Sequence, residues 1–436
     1  MMTNGAMDEI AAEFVDCLKV ARVELDRTLA PDDTLDQLVQ HSIRRRVTPS
    51  ARPLPAPVRT LQIGMEWFSE HSGGLNRVYA RLQRELDQLD VQCEGLVVGS
   101  PAVVRESGDL TRPFAGAHAS IWTRMWGVRR AALPWLAANS RDGVVVSHFA
   151  LHALPLLDSL GRRPFVVHFH GPWGQESRLE GASRISVMAK EAVERMVYQR
   201  ADAAIVLSHA FGEILASRFG VAPERIHVVA GGVDYQRFAN VGTPAECRAE
   251  LGWPAGRPIV LCVRRLVRRV GVDELVNAVI EVRRRVPDVL VLIAGTGYFR
   301  GALERQIDAL GLADNVRLVG FIPDEHLASA YRAATLSVVP SRALEGFGLV
   351  CVESLAAGTP VIVTPVGGLP EIVTPLSPSL VAASFSAHDI AHALAGALLG
   401  EQQLPTAEAC AEYARVNFDW PVVAARVRDV YASVLP

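Results

Sequence analysis

Residues 345–368 read EGFGLVCVESLAAGTPVIVTPVGG, and their order of loop, helix and strand decides the fold. Glu345 opens a glycine-containing loop. Over 348–357 the apolar positions Leu349, Val352, Leu355 and Ala356 can face a sheet, and Gly358-Thr359-Pro360 stops the helix. Residues 361–364 are then a short Val/Ile run, the pattern of a strand buried on both faces. The backbone N–H groups of Gly346, Phe347, Gly348 and Leu349 are orphan donors beside a helix N-terminus, which suits a phosphate. The carboxylates of Glu345 and Glu353 are poor phosphate ligands, but they can accept hydrogen bonds from sugar hydroxyls. The grouping points to phosphate and polyol bound side by side, as in a nucleotide sugar. The plainer alternative is a loop glutamate in solvent and a helix glutamate on a polar face.

Outward from this stretch, 436 residues are enough for two domains with separate cores. Half the residues are hydrophobic and the formal charge is only -3, without the basic footprint of a nucleic-acid binder. Cys17, Cys93, Cys247, Cys262, Cys351 and Cys410 are widely spaced and form no CxxC pair, and Cys262 and Cys351, which fall in expected core elements, are expected to be reduced and packed. The N-terminus has no h-region and no span reaches ~18 apolar residues. A cytoplasmic enzyme is the expectation.

Residues 1–58 read as amphipathic helices (Ile10, Phe14, Leu18, then Leu35, Leu38 and Val39) followed by the linker PSARPLPAPV. Their expected roles are packing on the body or oligomer contacts. From 59 to 240 short apolar strands at 60–65, 91–98, 143–147, 164–169, 203–207 and 226–229 alternate with helices. The pattern restarts over 241–418, with strands at 258–263, 289–294, 316–319, 336–339 and 361–364. This is α/β architecture twice over, two doubly wound parallel sheets with a cleft between the loops at their carboxyl ends. A last helix, within 419–436, is expected to return to the first domain.

Several residues are expected in that cleft. Gly73-Gly74 follows the first strand and lets backbone amides approach an anion. Arg264, Arg265, Arg268 and Arg269 follow the first strand of the second domain, where a guanidinium fork matches a diphosphate. Arg265 is the first choice and Arg269 the second. His170 ends the strand PFVVHFH, with His168 on the same face. His148 ends VVVSH, with a structural role as reasonable as a functional one. HFH has no third ligand at metal spacing, so no metal site is expected. Glu176 and Asp234 are lesser candidates, Asp234 as a brace of the hinge. Gly295 and Gly297 allow substrate or a neighbouring loop to come close. Residues 117–138 carry Trp122, Trp126, Trp135, Arg124, Arg129 and Arg130, with Pro134 expected to interrupt the helix. They suit either core packing with a basic rim or an acidic membrane surface.

These residues together resemble the retaining glycosyltransferases of family 4, which have the GT-B architecture of two facing Rossmann-like domains. The resemblance covers residues 60–436 and is strongest over 263–373. The family's E-x7-E signature is met by Glu345 and Glu353. The resemblance implies that Glu345 contacts the donor sugar and Glu353 the ribose hydroxyls. It further implies that the amides of 346–349 cradle the diphosphate, Gly73-Gly74 is the glycine loop and His170 touches the transferred sugar. One departure stands out. Where the family has Gly-Arg-Leu and then Lys-Gly, this chain has Arg264 for the glycine and Val270 for the lysine. Arg269 or Arg268 is expected to supply the missing charge.

The implied activity is transfer of a sugar from a nucleoside-diphosphate sugar, UDP- or GDP-linked, to a hydroxyl of a saccharide, lipid-linked or small-molecule acceptor. Configuration is retained and no metal or other cofactor is needed. Peripheral membrane contact and homo-oligomerisation accompany this expectation. A nucleotide-sugar epimerase, a GT-B phosphorylase and a non-catalytic sugar-nucleotide binder are the alternatives.

Overall fold

The computed structural model of the chain describes residues 58–71, 73–139 and 142–436. The helices and linker expected over 1–57 lie outside these residues.

The first sheet has seven strands, β1 (Arg59–Glu66), β2 (Gln92–Val98), β3 (Thr111–Ala115), β4 (Gly143–Ser147), β5 (Phe165–Phe169), β6 (Ala203–Val206) and β7 (Ile226–Val228), in the order β3-β2-β1-β4-β5-β6-β7. The second has five, β8 (Ile259–Val263), β9 (Leu290–Ala294), β10 (Val316–Gly320), β11 (Leu336–Val339) and β12 (Val361–Val363), in the order β10-β9-β8-β11-β12. All the paired strands run parallel. The strands are apolar at successive positions because both faces of each sheet are covered. Leu61, Ile63, Val145 and Val167 point into one core of the first domain, and Val144, Val146, Val166 and Ile205 into the other. β3, TRPFA, was not among the strands read from sequence. Its Pro113 is tolerated because β3 lies at the sheet edge.

The strand order fixes where a ligand can bind. In the first sheet the order reverses between β1 and β4, and in the second between β8 and β11. Loops leaving adjacent strands in opposite directions open a crevice at their carboxyl ends. Gly73-Gly74 and His148 follow β1 and β4, while the arginine run and Glu345 follow β8 and β11.

The chain crosses between domains twice at one place. Val233 and Asp419 form an isolated parallel bridge, with Val233 N–H donating to the Phe418 carbonyl at 2.8 Å. Asp234 caps the helix Tyr235–Ala239 and pairs with Arg81 at 3.3 Å. Gly232 permits the crossing, because a Cβ there would sit 2.4 Å from the Trp420 indole. Beyond it the helix Trp420–Ser433 lays Val423, Val427, Val430 and Tyr431 against Val78, Leu82, Val144 and Val166 of the first domain. Each such buried aliphatic side chain contributes about 1.5–3 kcal/mol of transfer free energy.

Helix Ile121–Ala138 runs through Pro134 without a break, contrary to the interruption read from sequence. Pro134 lacks an N–H, and only the Arg130 carbonyl four residues earlier loses a partner. Trp135 and Val128 are buried, whereas Ile121, Trp122 and Trp126 are exposed. Arg129 pairs with Asp158 at 2.6 Å, and Arg124 lies 3.5 Å from Glu66. Among the described residues no helix is long and apolar enough to cross a membrane.

Candidate functional site

The second domain supplies most of the charge. After β8 the chain turns past Gly295 and Gly297, whose absent side chains make room for a loop rather than for a ligand. A Cβ on Gly295 would lie 1.9 Å from the Arg264 carbonyl, and one on Gly297 2.2 Å from that of Leu266. The four arginines then separate. Arg264 turns inward, donating to Ser341 Oγ at 3.0 Å and forming an ion pair with Glu345, whose Oε2 also accepts from Ser341 Oγ at 2.8 Å. Both charged side chains are almost covered, at 11% and 12% exposure. Arg265 stays exposed. Arg268 turns away and stacks over the Phe299 ring, 5.0 Å from its centroid. Arg269 returns to the cleft, donating to the Leu344 carbonyl at 3.2 Å, with Nη2 3.9 Å from Glu176. Its buried Nε has no partner among the described residues. Val270 is 2% exposed, inside the core, so its side chain does not face the cleft. Of the two arginines expected to replace the missing lysine, only Arg269 points into the cleft.

Burial works to raise the carboxyl of Glu345, but the Arg264 guanidinium, the Ser341 hydroxyl and Arg269 outweigh it and hold it below the ordinary value. Glu345 is therefore a fixed anion. Glu353 behaves in the opposite way. Burial raises its carboxyl, with Arg77, the Tyr331 hydroxyl at 3.1 Å and Arg237 only partly opposing. Beside it lies a pocket of about 280 Å³ lined from both domains by Arg77, Asp234, Arg237, Asp324 and Leu349. Asp324 accepts from Arg77 at 2.8 Å across the cleft. Gly346, Phe347, Gly348 and Leu349 donate no backbone hydrogen bond among the described residues. Their loop is pressed against the first domain. A Cβ on Gly346 would lie 2.4 Å from the Phe211 ring, and the buried Phe347 ring packs on Phe418. Leu349 Cδ1 faces Gly74 at 3.9 Å from its would-be Cβ, while Gly73 has only Asn76 nearby.

In the first domain His170 follows β5. The next residue, Gly171, lies against Glu176, whose carboxylate is 3.9 Å from Arg269 Nη2. The loop beyond it is held by the buried Glu194, which accepts from the N–H groups of Trp173 at 2.8 Å and Gly174 at 3.0 Å. Burial pushes that carboxyl up to about 7. Glu176 is also raised by burial, against Arg269 and Arg265.

Sequence spacing offered HFH no third nitrogen, but β4 neighbours β5, so His148 joins His168 and His170. Their ligand atoms lie within 4.8 Å of one another. The rings also stack, with their planes within 16° to 22° of parallel and the His148 and His168 centroids 4.2 Å apart. His148 Nε2 is 2.9 Å from Gln62 Oε1, and His168 Nε2 is 2.7 Å from the Tyr431 hydroxyl.

Sequence reasoning missed several members of the site. Arg264 was read as a departure and not as the partner of Glu345. Arg77, Arg237, Asp324 and Tyr331 around Glu353 carried no local signal. Gln62 did leave one, a polar residue between Leu61 and Ile63 in the strand RTLQIGME.

Two parallel α/β domains facing a cleft of arginines, carboxylates and free amides have the GT-B architecture. The family model "Glycosyltransferase Family 4" matches residues 72–237, and "Glycosyl transferases group 1" matches residues 245–417. A D-inositol 3-phosphate glycosyltransferase of Nocardia farcinica is 35% identical over 256 residues, 57% of this chain and 56% of that protein. A GDP-mannose-dependent alpha-(1-6)-phosphatidylinositol monomannoside mannosyltransferase of Mycolicibacterium smegmatis is 32% identical over 288 residues, 64% of this chain and 72% of that one. The chain belongs to the group 1, family 4 glycosyltransferases. Solved structures agree in fold. Sucrose-phosphate synthase from Thermosynechococcus elongatus superposes with a TM-score of 0.71 at 24% identity, over 86% of this chain and 98% of the other. An Anabaena HepE protein in complex with UDP and glucose gives 0.70 at 19%, over 86% and 100%.

Proposed function

We propose that this protein transfers a sugar, with retention of configuration, from a UDP- or GDP-linked donor to an acceptor hydroxyl. The observation that carries the reading is the Arg264–Glu345 pair set beside Arg269 and the unpaired amides of 346–349. It offers an ionised carboxylate for sugar hydroxyls next to donors for a diphosphate. Glu345 orients the sugar and stabilises positive charge developing on it as the phosphate leaves. Arg265, Arg269 and the amides take the charge of the departing diphosphate, so no divalent metal is required for that step. Glu353 accepts from the ribose hydroxyls, and His170 meets the transferred sugar from the opposite wall.

The relatives' names include an inositol 3-phosphate and a phosphatidylinositol mannoside, which supports a polyol or glycolipid acceptor entering over the first domain. If that acceptor is lipid-linked, the exposed Ile121, Trp122 and Trp126 are the apolar side chains available to a bilayer surface.

The test compares wild type with Glu345→Gln. Turnover is expected to fall about 100-fold or more while nucleoside-diphosphate affinity stays within about threefold, because the lost charge acts on the sugar and not on the phosphates. Equal loss of both would remove Glu345 from the sugar. Retention is read from the anomeric coupling constant of the product, and an inverted product would refute that part.

A further inference from the structure

Under the cleft lies a chain of buried polar groups that the transfer chemistry does not itself explain. It starts on β1, where Thr60 and Gln62 are fully buried on either side of Leu61. Gln62 Nε2 lies 3.1 Å from Thr60 Oγ1 and 3.4 Å from the Tyr431 hydroxyl, while Gln62 Oε1 faces His148 Nε2 at 2.9 Å. His148 Nδ1 then faces His170 Nε2 at 3.3 Å. His148 is 2% exposed, and Tyr431, on the returning C-terminal helix, is fully buried. Four sequence-distant elements thus meet in one hydrogen-bonded chain.

The direction of these hydrogen bonds follows from satisfying every buried donor. An amide group has two N–H donors and one carbonyl acceptor. With Nε2 toward Thr60 and Tyr431, both hydrogens have an oxygen to donate to, and Oε1 takes one hydrogen from His148. Reversing the amide would turn both hydrogens toward His148, which offers one lone pair, and strand the second in the core. A stranded buried donor is the costly arrangement. The Gln62 carbonyl oxygen therefore requires the hydrogen of His148 to be on Nε2. A neutral imidazole carries one hydrogen, so His148 Nδ1 is left as an acceptor and His170 must donate to it from Nε2. Tyr431 completes the pattern by donating to His168 Nε2 at 2.7 Å.

The rings are neutral. Burial lowers His170 to about 4, and burial together with the neighbouring histidines lowers His148 further below its ordinary value. A proton added to His148 would go on Nδ1 and face the Nε2–H of His170, donor against donor. His170 is half-buried, and its Nδ1 has no hydrogen-bond partner among the described residues.

We propose that Gln62 and His148 are positioning residues that lock His170 in its Nε2–H form, so that it presents a bare Nδ1 as a hydrogen-bond acceptor to a hydroxyl of the transferred sugar. This rests on the reading of the cleft as a sugar-nucleotide site. It makes His170 a one-way reader, taking a hydrogen from the sugar and giving none. A donor sugar in which the contacted hydroxyl is replaced by fluorine, which cannot donate, is then rejected as firmly as the deoxy sugar.

The experiment is a two-bond 1H–15N correlation spectrum of the full chain labelled at histidine nitrogen, with His148 and His170 assigned by the signals lost in His148→Asn and His170→Asn. In wild type at pH 7 both rings are expected to be neutral and Nε2–H. In Gln62→Met the acceptor for His148 is gone. That ring should move its hydrogen to Nδ1 and donate to His170, reversing the His170 tautomer. Transfer from GDP-mannose or UDP-glucose, whichever the wild type uses, should fall about tenfold in kcat/KM while GDP or UDP affinity is unchanged. A wild-type His170 carrying its hydrogen on Nδ1 would overturn the proposal, as would an unchanged His170 tautomer in folded Gln62→Met. If Gln62→Met does not fold, the wild-type tautomers decide alone. Failure of the cleft reading shows differently, as the expected tautomers in a protein that binds neither sugar nucleotide nor its diphosphate. That result overturns the sugar contact as well.

Discussion

Replacing Arg264 by Met puts the clearest number on the site. The change keeps most of the side-chain volume and removes the guanidinium from a pair whose members are 11% and 12% exposed. Removing one partner of a buried pair typically costs about 3–5 kcal/mol, because the other charge is left uncompensated. Ser341 still donates to Glu345 at 2.8 Å, and both side chains keep 11% and 12% exposure, so a loss of about 2–3 kcal/mol is expected here. The pH dependence identifies the cause. In wild type the folded Glu345 carboxyl lies below its ordinary value, so its contribution is fully present above the unfolded pKa and is lost as pH falls through the folded one. Without Arg264, burial, already the largest single influence, is opposed only by Ser341 and Arg269, and the folded carboxyl rises above the unfolded value. The destabilisation of Arg264→Met should therefore be largest at neutral pH and shrink as acid protonates Glu345. Urea unfolding from pH 4.5 to pH 8, monitored by circular dichroism, measures it. The double variant Arg264→Met with Glu345→Gln should recover about half of the loss, since no buried charge remains. A deficit that is constant with pH, or a double variant no better than the sum of the single ones, would refute the reasoning.

Two further outcomes follow from packing. Val270→Lys will not restore a phosphate-binding cation. The position is 2% exposed within the second core, so the ammonium has to be buried, at about 3 kcal/mol or more in stability with no gain in nucleotide affinity. Urea unfolding and calorimetry read the two halves of that statement. Gly232→Ala places a methyl 2.4 Å from the Trp420 indole, at the point where the chain crosses between domains. A loss of about 1–3 kcal/mol is expected from overpacking, and thermal unfolding with an unchanged midpoint would show that the hinge relaxes instead.

The parallel sheets were legible because strands buried on both faces leave continuous apolar runs, and because Gly73-Gly74, Gly358-Thr359-Pro360 and the E-x7-E spacing are local signals. β3 was hidden by Pro113, which argues against a strand everywhere except at an edge. The arginine run showed that charge gathers after β8 but not which side chain turns where. The short 3-10 turn Arg268–Val270 sends neighbouring side chains in different directions, Arg268 onto Phe299 and Arg269 into the cleft. The partners that decide function are separated by long stretches of chain. Arg264 reaches Glu345 across 81 positions, and Gln62 meets Tyr431 across 369. No spacing rule reports such pairs. They appear only once the strand order has brought β1, β4 and β5, or β8 and β11, side by side.

The central claim is that Arg269 and the loop 346–349 hold the diphosphate of a sugar nucleotide. Calorimetric titration of the protein with UDP and with GDP, in the presence of EDTA, tests it most directly, with Arg269→Met and Arg268→Met in parallel. Binding of one nucleotide by wild type and by Arg268→Met, weakened about tenfold or more in Arg269→Met, is the predicted result. Binding of neither nucleotide, or equal binding by Arg269→Met, would contradict it.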